Sequence, residues 1–308
     1  MSDCFLCSYV GLFFKYYLNL WLIALAIWVG LVVATKVGSD GSKFKYYAKF
    51  GMIYFTTQGL TTLWTPISLL SPLNIVHARI ISTISSYATT LLPITWELRN
   101  ARVLKEAKGA VVMANHQSSM DILGLMMLWD ILKDVISIAK KELLYLIPFG
   151  PAGWLAGITY INRQNRTSAM RTLDKCKRNM VEKGHKMYLY PEGTRFPERG
   201  MLPFKKGGFH TAIQAGVPII PVVFSHMYFI DAKKYLFKPG HVIMSVLEPI
   251  PTKGVTVDGL DALIERTRSA MLAEYEKISA EMDGNLSNSR WVRQSRPRFT
   301  IIDNKKSD

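Results

Sequence analysis

At 308 residues with 49% hydrophobic content, the chain can bury one sizeable catalytic domain plus further segments, which excludes a disordered chain. Its formal net charge of +15 would suit nucleic acid or an anionic membrane surface, but no zinc-finger, RNP or P-loop pattern is present. Nucleic acid is therefore set aside as a partner in favour of a lipid bilayer.

The three cysteines are Cys4, Cys7 and Cys176, so Cys4-x-x-Cys7 has no second pair to complete a tetrahedral zinc site. No metal is expected there; the pair is open to lipidation, to a disulfide or to no chemistry. Tyr16 to Thr35 then runs without a charge, about the length that crosses ~30 Å of hydrocarbon, and reads as a transmembrane helix. A buried core helix and a cleavable signal peptide are the alternatives. Trp21, Trp28, Tyr16 and Tyr17 suit an interface, and the apolar run exceeds a signal peptide's.

Two more charge-free stretches, Phe50 to Ala78 and Ile80 to Trp96, contain Pro66, Pro72 and Pro93. A second span, a re-entrant pair or surface helices each satisfy such a broken backbone. Residues 1–96 thus read as a membrane-embedded helical anchor. Lys36, Lys43, Lys45 and Lys49 outweigh Lys15 across the first span, which puts the following chain in the cytosol.

Residues 97–283 alternate short apolar runs with helical periodicity, an α/β signature. Strands are expected at Ala110 to Ala114, Thr159 to Asn162, Lys186 to Tyr190, Ile219 to Phe224 and His241 to Leu247. Helices are expected near Asp121 to Leu132, Thr167 to Lys183 and Gly207 to Ala215. A longer helix from Asp258 to about Met282 sets Leu260, Leu263, Ile264, Met271, Tyr275, Ile278 and Met282 on one stripe. Residues 284–308 read as a basic, flexible tail. Trp154 and the Met126 to Trp129 cluster read as packing.

NHQSSMD at 115–121 places His116 five positions before Asp121, immediately after AVVMA. The spacing alone is weak, because His226 and Asp231 in HMYFID repeat it. Context favours the first pair: a strand end before it, small or polar neighbours, and an apolar helix after it that Ser118 or Ser119 could cap. A carboxylate on the first helical turn can fix one imidazole nitrogen and leave the other to take a proton. The chain has no GxSxG elbow, yet Ser118 and Ser119 leave a serine-nucleophile hydrolase open. The simpler chemistry has the base activate a substrate hydroxyl.

NHQSSMD is followed in order by GITYINR at 157–163, YPEGTR at 190–195 and VPIIPVV at 217–223, with AKKELLYLIPFG at 139–150 between the first two. Together these resemble the glycerolipid acyltransferases, specifically the 1-acylglycerol-3-phosphate acyltransferases, over about residues 96–250. The resemblance implies a mixed sheet flanked by helices, of the glycerol-3-phosphate acyltransferase-like type. It also implies acyl transfer from acyl-CoA to the sn-2 hydroxyl of lysophosphatidic acid, giving phosphatidic acid and CoA, with His116 as base and Asp121 stabilising the imidazolium. Acyl-CoA is then a substrate, and no cofactor is expected.

Arg163 and Arg195 suit the acceptor phosphate as bidentate donors, against the alternative of a solvated basic face. Gly193 permits close backbone approach, and Glu192 orients the loop or an arginine. Lys140 and Lys205 are further candidates for that anion or the CoA phosphates. Another lysophospholipid, glycerol 3-phosphate, or a silent membrane scaffold remain as alternatives. KKSD at 305–308 resembles a dilysine retrieval signal, which implies the endoplasmic reticulum membrane with the catalytic domain facing the cytosol.

Overall fold

The runs AVVMA and IIPVVF are apolar at every position, a pattern that fits strands covered on both faces. In the computed structural model, which describes residues 5–303 apart from 38, 40, 89–91, 93, 148, 257 and 288–298, they are the two central strands of an eight-stranded sheet. Its strands are β1 Ile94–Arg99, β2 Ala110–Ala114, β3 Val135–Lys140, β4 Thr159–Ile161, β5 Lys186–Leu189, β6 Ile219–Phe224, β9 Gly240–Val246 and β10 Phe299–Ile302. A separate hairpin joins β7 Ile230–Asp231 to β8 Leu236–Phe237.

The order β10-β1-β9-β6-β2-β5-β3-β4 is mixed. From β6 to β4 the strands are parallel, β9 runs antiparallel to β6, and β1 and β10 run with β9. The helices are α1 Phe5–Ala34, α2 Lys43–Leu70, α3 Ile75–Ala88, α4 Ala101–Glu106, α5 Asp121–Leu132, α6 Phe149–Leu155, α7 Arg166–Lys183, α8 Lys206–Ala215 and α9 Leu260–Ser287. The mixed α/β sheet with flanking helices expected from the sequence is present.

The chain divides into two units, residues 1–59 with 229–238, and 60–228 with 239–308. In the first, α1 lies against α2: Trp28 Nε1 donates to Thr56 Oγ1 at 2.8 Å, and Leu31 packs where a Cβ on Gly51 would come within 3.3 Å. The hairpin caps α2, whose Lys49 ammonium donates to the Phe237 carbonyl.

The sequence expectation fails in this first unit. A helix is present over 16–35, but among the described residues no helix is long and apolar enough to cross a membrane. The transmembrane helix, the membrane-embedded anchor built on it, and the endoplasmic reticulum membrane localisation that the KKSD tail suggested are corrected accordingly. Helix α1 packs on α2 through Trp28 and Leu31, while Leu18, Leu22, Ile23 and Leu25 of the same charge-free run stay exposed. The 305–308 tail lies outside the described residues, as does Cys4.

In the second unit, α7 is delimited as its sequence dictates: Asn165 Oδ1 accepts the Ser168 N–H at 2.9 Å at one end, and Gly184 takes a left-handed conformation at the other. Helix α9 buries Leu260, Leu263, Met271, Tyr275, Ile278 and Met282 in the core cluster with Phe209 of α8 and Val223 of β6. Full burial of each such side chain contributes roughly 1.5–3 kcal/mol. Gly124 lets α5 lie close on the sheet, since a Cβ there would stand 2.6 Å from the Phe224 ring. Met126 to Trp129 are buried as expected, whereas Trp154 is 46% exposed and is not core packing.

Candidate active site

Because β2, β5, β3 and β4 are parallel, their C-terminal ends share one edge of the sheet, where α/β folds collect ligand groups. The segments leaving that edge carry His116 after β2, Lys140 at the end of β3, Arg163 after β4 and Glu192 after β5.

The His116–Asp121 pair is formed. Nδ1 of His116 stands 2.7 Å from Oδ2 of Asp121, which also accepts the backbone N–H groups of Gln117 at 2.7 Å and Ser118 at 3.0 Å. Asp121 is fully buried, and its Oδ1 has no hydrogen-bond partner among the described residues. Burial raises the Asp121 carboxyl, while the His116 hydrogen bond, the imidazole's charge and the two backbone donors oppose that rise. With Nδ1 committed, Nε2 is the nitrogen free to act on a substrate. Neither serine caps α5 as the sequence allowed: Ser118 Oγ accepts the Met120 N–H at 3.2 Å.

Glu192 is the second organising carboxylate. Its Oε1 accepts the His116 N–H at 2.8 Å and its Oε2 the Leu202 N–H at 3.2 Å, while Phe196 N–H returns to the His116 carbonyl at 2.8 Å. The loop after β5 is thus clasped to the loop after β2. Burial raises the Glu192 carboxyl, opposed by these two backbone hydrogen bonds.

Three further residues shape the site without having been singled out from the sequence. Asn115 Nδ2 donates to the Phe224 carbonyl at 3.0 Å and Oδ1 accepts the Phe224 N–H at 2.8 Å. Gln117 Nε2 donates to the Ser225 carbonyl at 3.0 Å, and Oε1 accepts the Met227 N–H at 3.3 Å. Together they pin the His116 loop to the end of β6. Tyr190 stacks on His116, with ring centroids 4.0 Å apart and planes 15° from parallel. The signal available was two amides flanking the histidine and an aromatic opening YPEGTR.

The basic residues divide. Arg163 is exposed and donates from Nη1 to the Gly193 carbonyl at 2.6 Å. Gly193 has φ +73°, and a Cβ there would come within 3.4 Å of Lys205 Cγ and 3.6 Å of Arg163 Nη1. Arg163, Gly193 and Lys205 are therefore one cluster. Desolvation lowers the Arg163 guanidinium against the opposing Glu142 carboxylate of the 3-10 turn Lys141–Tyr145, but it stays charged. Arg195 is exposed and makes no hydrogen bond or ion pair among the described residues. Lys140 is also exposed, on the neighbouring strand end.

The duplicate spacing has no such geometry. His226 N–H donates to Ser279 Oγ and its Nδ1 stands 3.2 Å from the Tyr275 hydroxyl, whereas Asp231 accepts from the backbone of Lys233 and Lys234.

An oriented imidazole with one open nitrogen, on the sheet edge that also carries a glycine turn with Arg163 bonded to it, can deprotonate a hydroxyl on an anionic substrate. Residues 96–225 match the Acyltransferase family. The human 1-acyl-sn-glycerol-3-phosphate acyltransferase beta is 42% identical over 186 residues, 60% of this chain and 66% of that protein. The human alpha protein of the same name is 34% identical over 242 residues, 78% of this chain and 84% of that protein. The crystal structure of the 1-acyl-sn-glycerophosphate acyltransferase from Thermotoga maritima shares the fold, with a TM-score of 0.57 at 22% identity over 76% of this chain and 98% of that one. The chain belongs to the 1-acyl-sn-glycerol-3-phosphate acyltransferase family.

Proposed function

We propose that the chain transfers an acyl group from acyl-CoA to the sn-2 hydroxyl of 1-acyl-sn-glycerol 3-phosphate, giving phosphatidic acid and CoA. Membership of the family makes it an acyl-CoA-dependent acyltransferase with a lysophospholipid acceptor. The observation that carries the finer reading is the 2.7 Å His116–Asp121 bond on the sheet edge that also holds the Arg163, Gly193 and Lys205 cluster.

In this reading Nε2 of His116 takes the hydroxyl proton as the oxygen attacks the thioester carbonyl. Asp121 stabilises the imidazolium, the C–S bond breaks, and CoA leaves as a thiolate that recovers the proton. Arg163 holds the acceptor phosphate by charge-assisted hydrogen bonds, with Gly193 giving the backbone access and Arg195 closing from the exposed side. Lys205 and Lys140 serve the same anion or the phosphates of CoA. Glu192 holds the two loops in register and does not touch the phosphate.

A panel of lysophosphatidate, lysophosphatidylcholine and glycerol 3-phosphate, assayed with wild type and His116→Ala, tests the reading. Preference for lysophosphatidate and loss of about 10²- to 10⁴-fold in His116→Ala are expected. Normal turnover in that variant removes the base assignment, and equal use of lysophosphatidylcholine removes the assignment of the acceptor.

The bilayer is the partner that presents such an acceptor. After Lys140 and Lys141 the chain exposes Leu143, Tyr145, Leu146 and Ile147, the last at 80%, on the sheet edge that carries Arg163. Apolar side chains flanked by lysines suit a shallow insertion into an anionic lipid surface. Leu146→Ser with Ile147→Ser should weaken sedimentation with phosphatidate-containing vesicles about tenfold while sparing turnover of a short-chain, monomeric acceptor. Unchanged sedimentation would place the lipid contact elsewhere.

A further inference from the structure

The ring of Tyr190 lies on the ring of His116, 4.0 Å between centroids and 15° from parallel, and neither the hydrogen bonds of the site nor the proposed proton transfer uses it. Its hydroxyl is buried beside that of Tyr188 and makes no hydrogen bond to His116, so its contact with the imidazole is through the ring face.

Two neutral rings stacked nearly parallel gain little, because their quadrupoles repel unless they are offset. A cation over an aromatic face is attracted, most strongly where water is excluded. The same stack is therefore worth more once His116 has taken a proton than before. That is the differential a catalytic group needs, since only interactions stronger in the transition state raise kcat.

We propose that Tyr190 is a positioning residue whose ring face stabilises the His116 imidazolium as the acceptor hydroxyl is deprotonated, and that its hydroxyl is dispensable. The proposal rests on His116 acting as the base. The other titratable or charged groups facing the imidazole are Asp121 of α5, at Nδ1, and Glu192 of the loop after β5, through the backbone N–H and its charge. Both favour the cation along the ring's edge, and Tyr190 covers a face. Tyr188 packs edge-on against Tyr190 at 5.4 Å between centroids, with its hydroxyl kept protonated by burial, and holds that ring in place.

The test is the pH dependence of kcat/KM and kcat in the full-length enzyme with lysophosphatidate and acyl-CoA. Tyr190→Phe should retain wild-type activity within about threefold. Tyr190→Leu should lower plateau kcat about tenfold and move the acid limb to lower pH by about one unit, because the imidazole no longer gains from keeping its proton. A plateau loss with no movement of the limb, or movement to higher pH, overturns the proposal in favour of simple packing.

If Tyr190→Leu does not fold, phenylalanine analogues with one to three ring fluorines at 190 keep the shape and drain the ring face. log kcat should fall with each fluorine, and a flat series overturns the proposal. His116→Ala run in parallel separates the two claims: a dead His116→Ala with a flat Tyr190 series sinks only the stacking role, whereas an active His116→Ala sinks the base.

Discussion

One oxygen of Asp121 serves three donors: the imidazole of His116 and the backbone N–H groups of Gln117 and Ser118. The carboxylate therefore shapes the loop as well as orienting the ring, and an amide, whose oxygen can still accept from these donors, lacks the negative charge that stabilises the imidazolium. Asp121→Asn should lower kcat by about 10²- to 10⁴-fold with far less change in KM; an equal loss through KM alone would mean the residue only shapes the pocket. The pair itself was legible from five-residue spacing after an apolar strand. Asn115 and Gln117 were less so, because their partners lie 109 and 110 residues away and no local pattern reports them, whereas Glu192, whose partner lies 76 residues away, was singled out only through YPEGTR. Arg163 and Arg195 looked alike in sequence. Only Arg163 is bonded into the Gly193 turn.

At the level of elements, the continuous apolar strands β2 and β6 and the amphipathic helices α7 and α9 fell where periodicity put them. Strand β1 did not, because it carries Glu97 and Arg99 where a buried strand is expected to be apolar. Those charges are paired internally: Arg99 Nε donates to Glu97 Oε1 at 2.7 Å and its two terminal nitrogens grip Glu281 of α9 at 2.8 and 2.7 Å. Burial works to raise the Glu97 carboxyl, but hydrogen bonds from His241 and Arg99 prevail and hold it at about 2. A carboxyl depressed in the folded state stabilises above its ordinary value and loses that contribution as pH falls through the folded one. Between pH 4.5 and about 2 the fold should lose on the order of 3 kcal/mol through Glu97, which is 2% exposed. Denaturant titrations of wild type and Glu97→Gln should differ at pH 6 and converge near pH 2. A gap that persists at pH 2 would assign the effect to packing. Helix α1 misled for the converse reason: hydropathy reports an apolar surface without saying what covers it, and here Leu18, Leu22, Ile23 and Leu25 stand 55–60% exposed.

For the whole molecule, the sheet places its chemistry at one end and its closure at one side. The site depends on β2, β3, β4, β5 and β6, whereas among the described residues β10 pairs only with β1 and covers the edge that β1 would otherwise expose. Removing residues 299–303 should leave turnover per folded molecule within about twofold, lower the Tm by several degrees and promote self-association through the bared edge. Loss of turnover with Tm unchanged would show that the closure reaches the site.

The pairing of β10 with β1 also sets an order of events. Trp96 must wait for Phe299, about 200 residues further along, so this contact has among the highest loop-closure costs in the chain. During synthesis the strands bearing His116, Arg163 and Glu192 have all emerged before the edge of β1 can be covered, and a ribosome releasing about 5–20 residues per second leaves it open for about 10 seconds or more. The vulnerable interval in the life of this protein is thus one in which the catalytic edge is complete and the opposite side of the sheet is still unpaired.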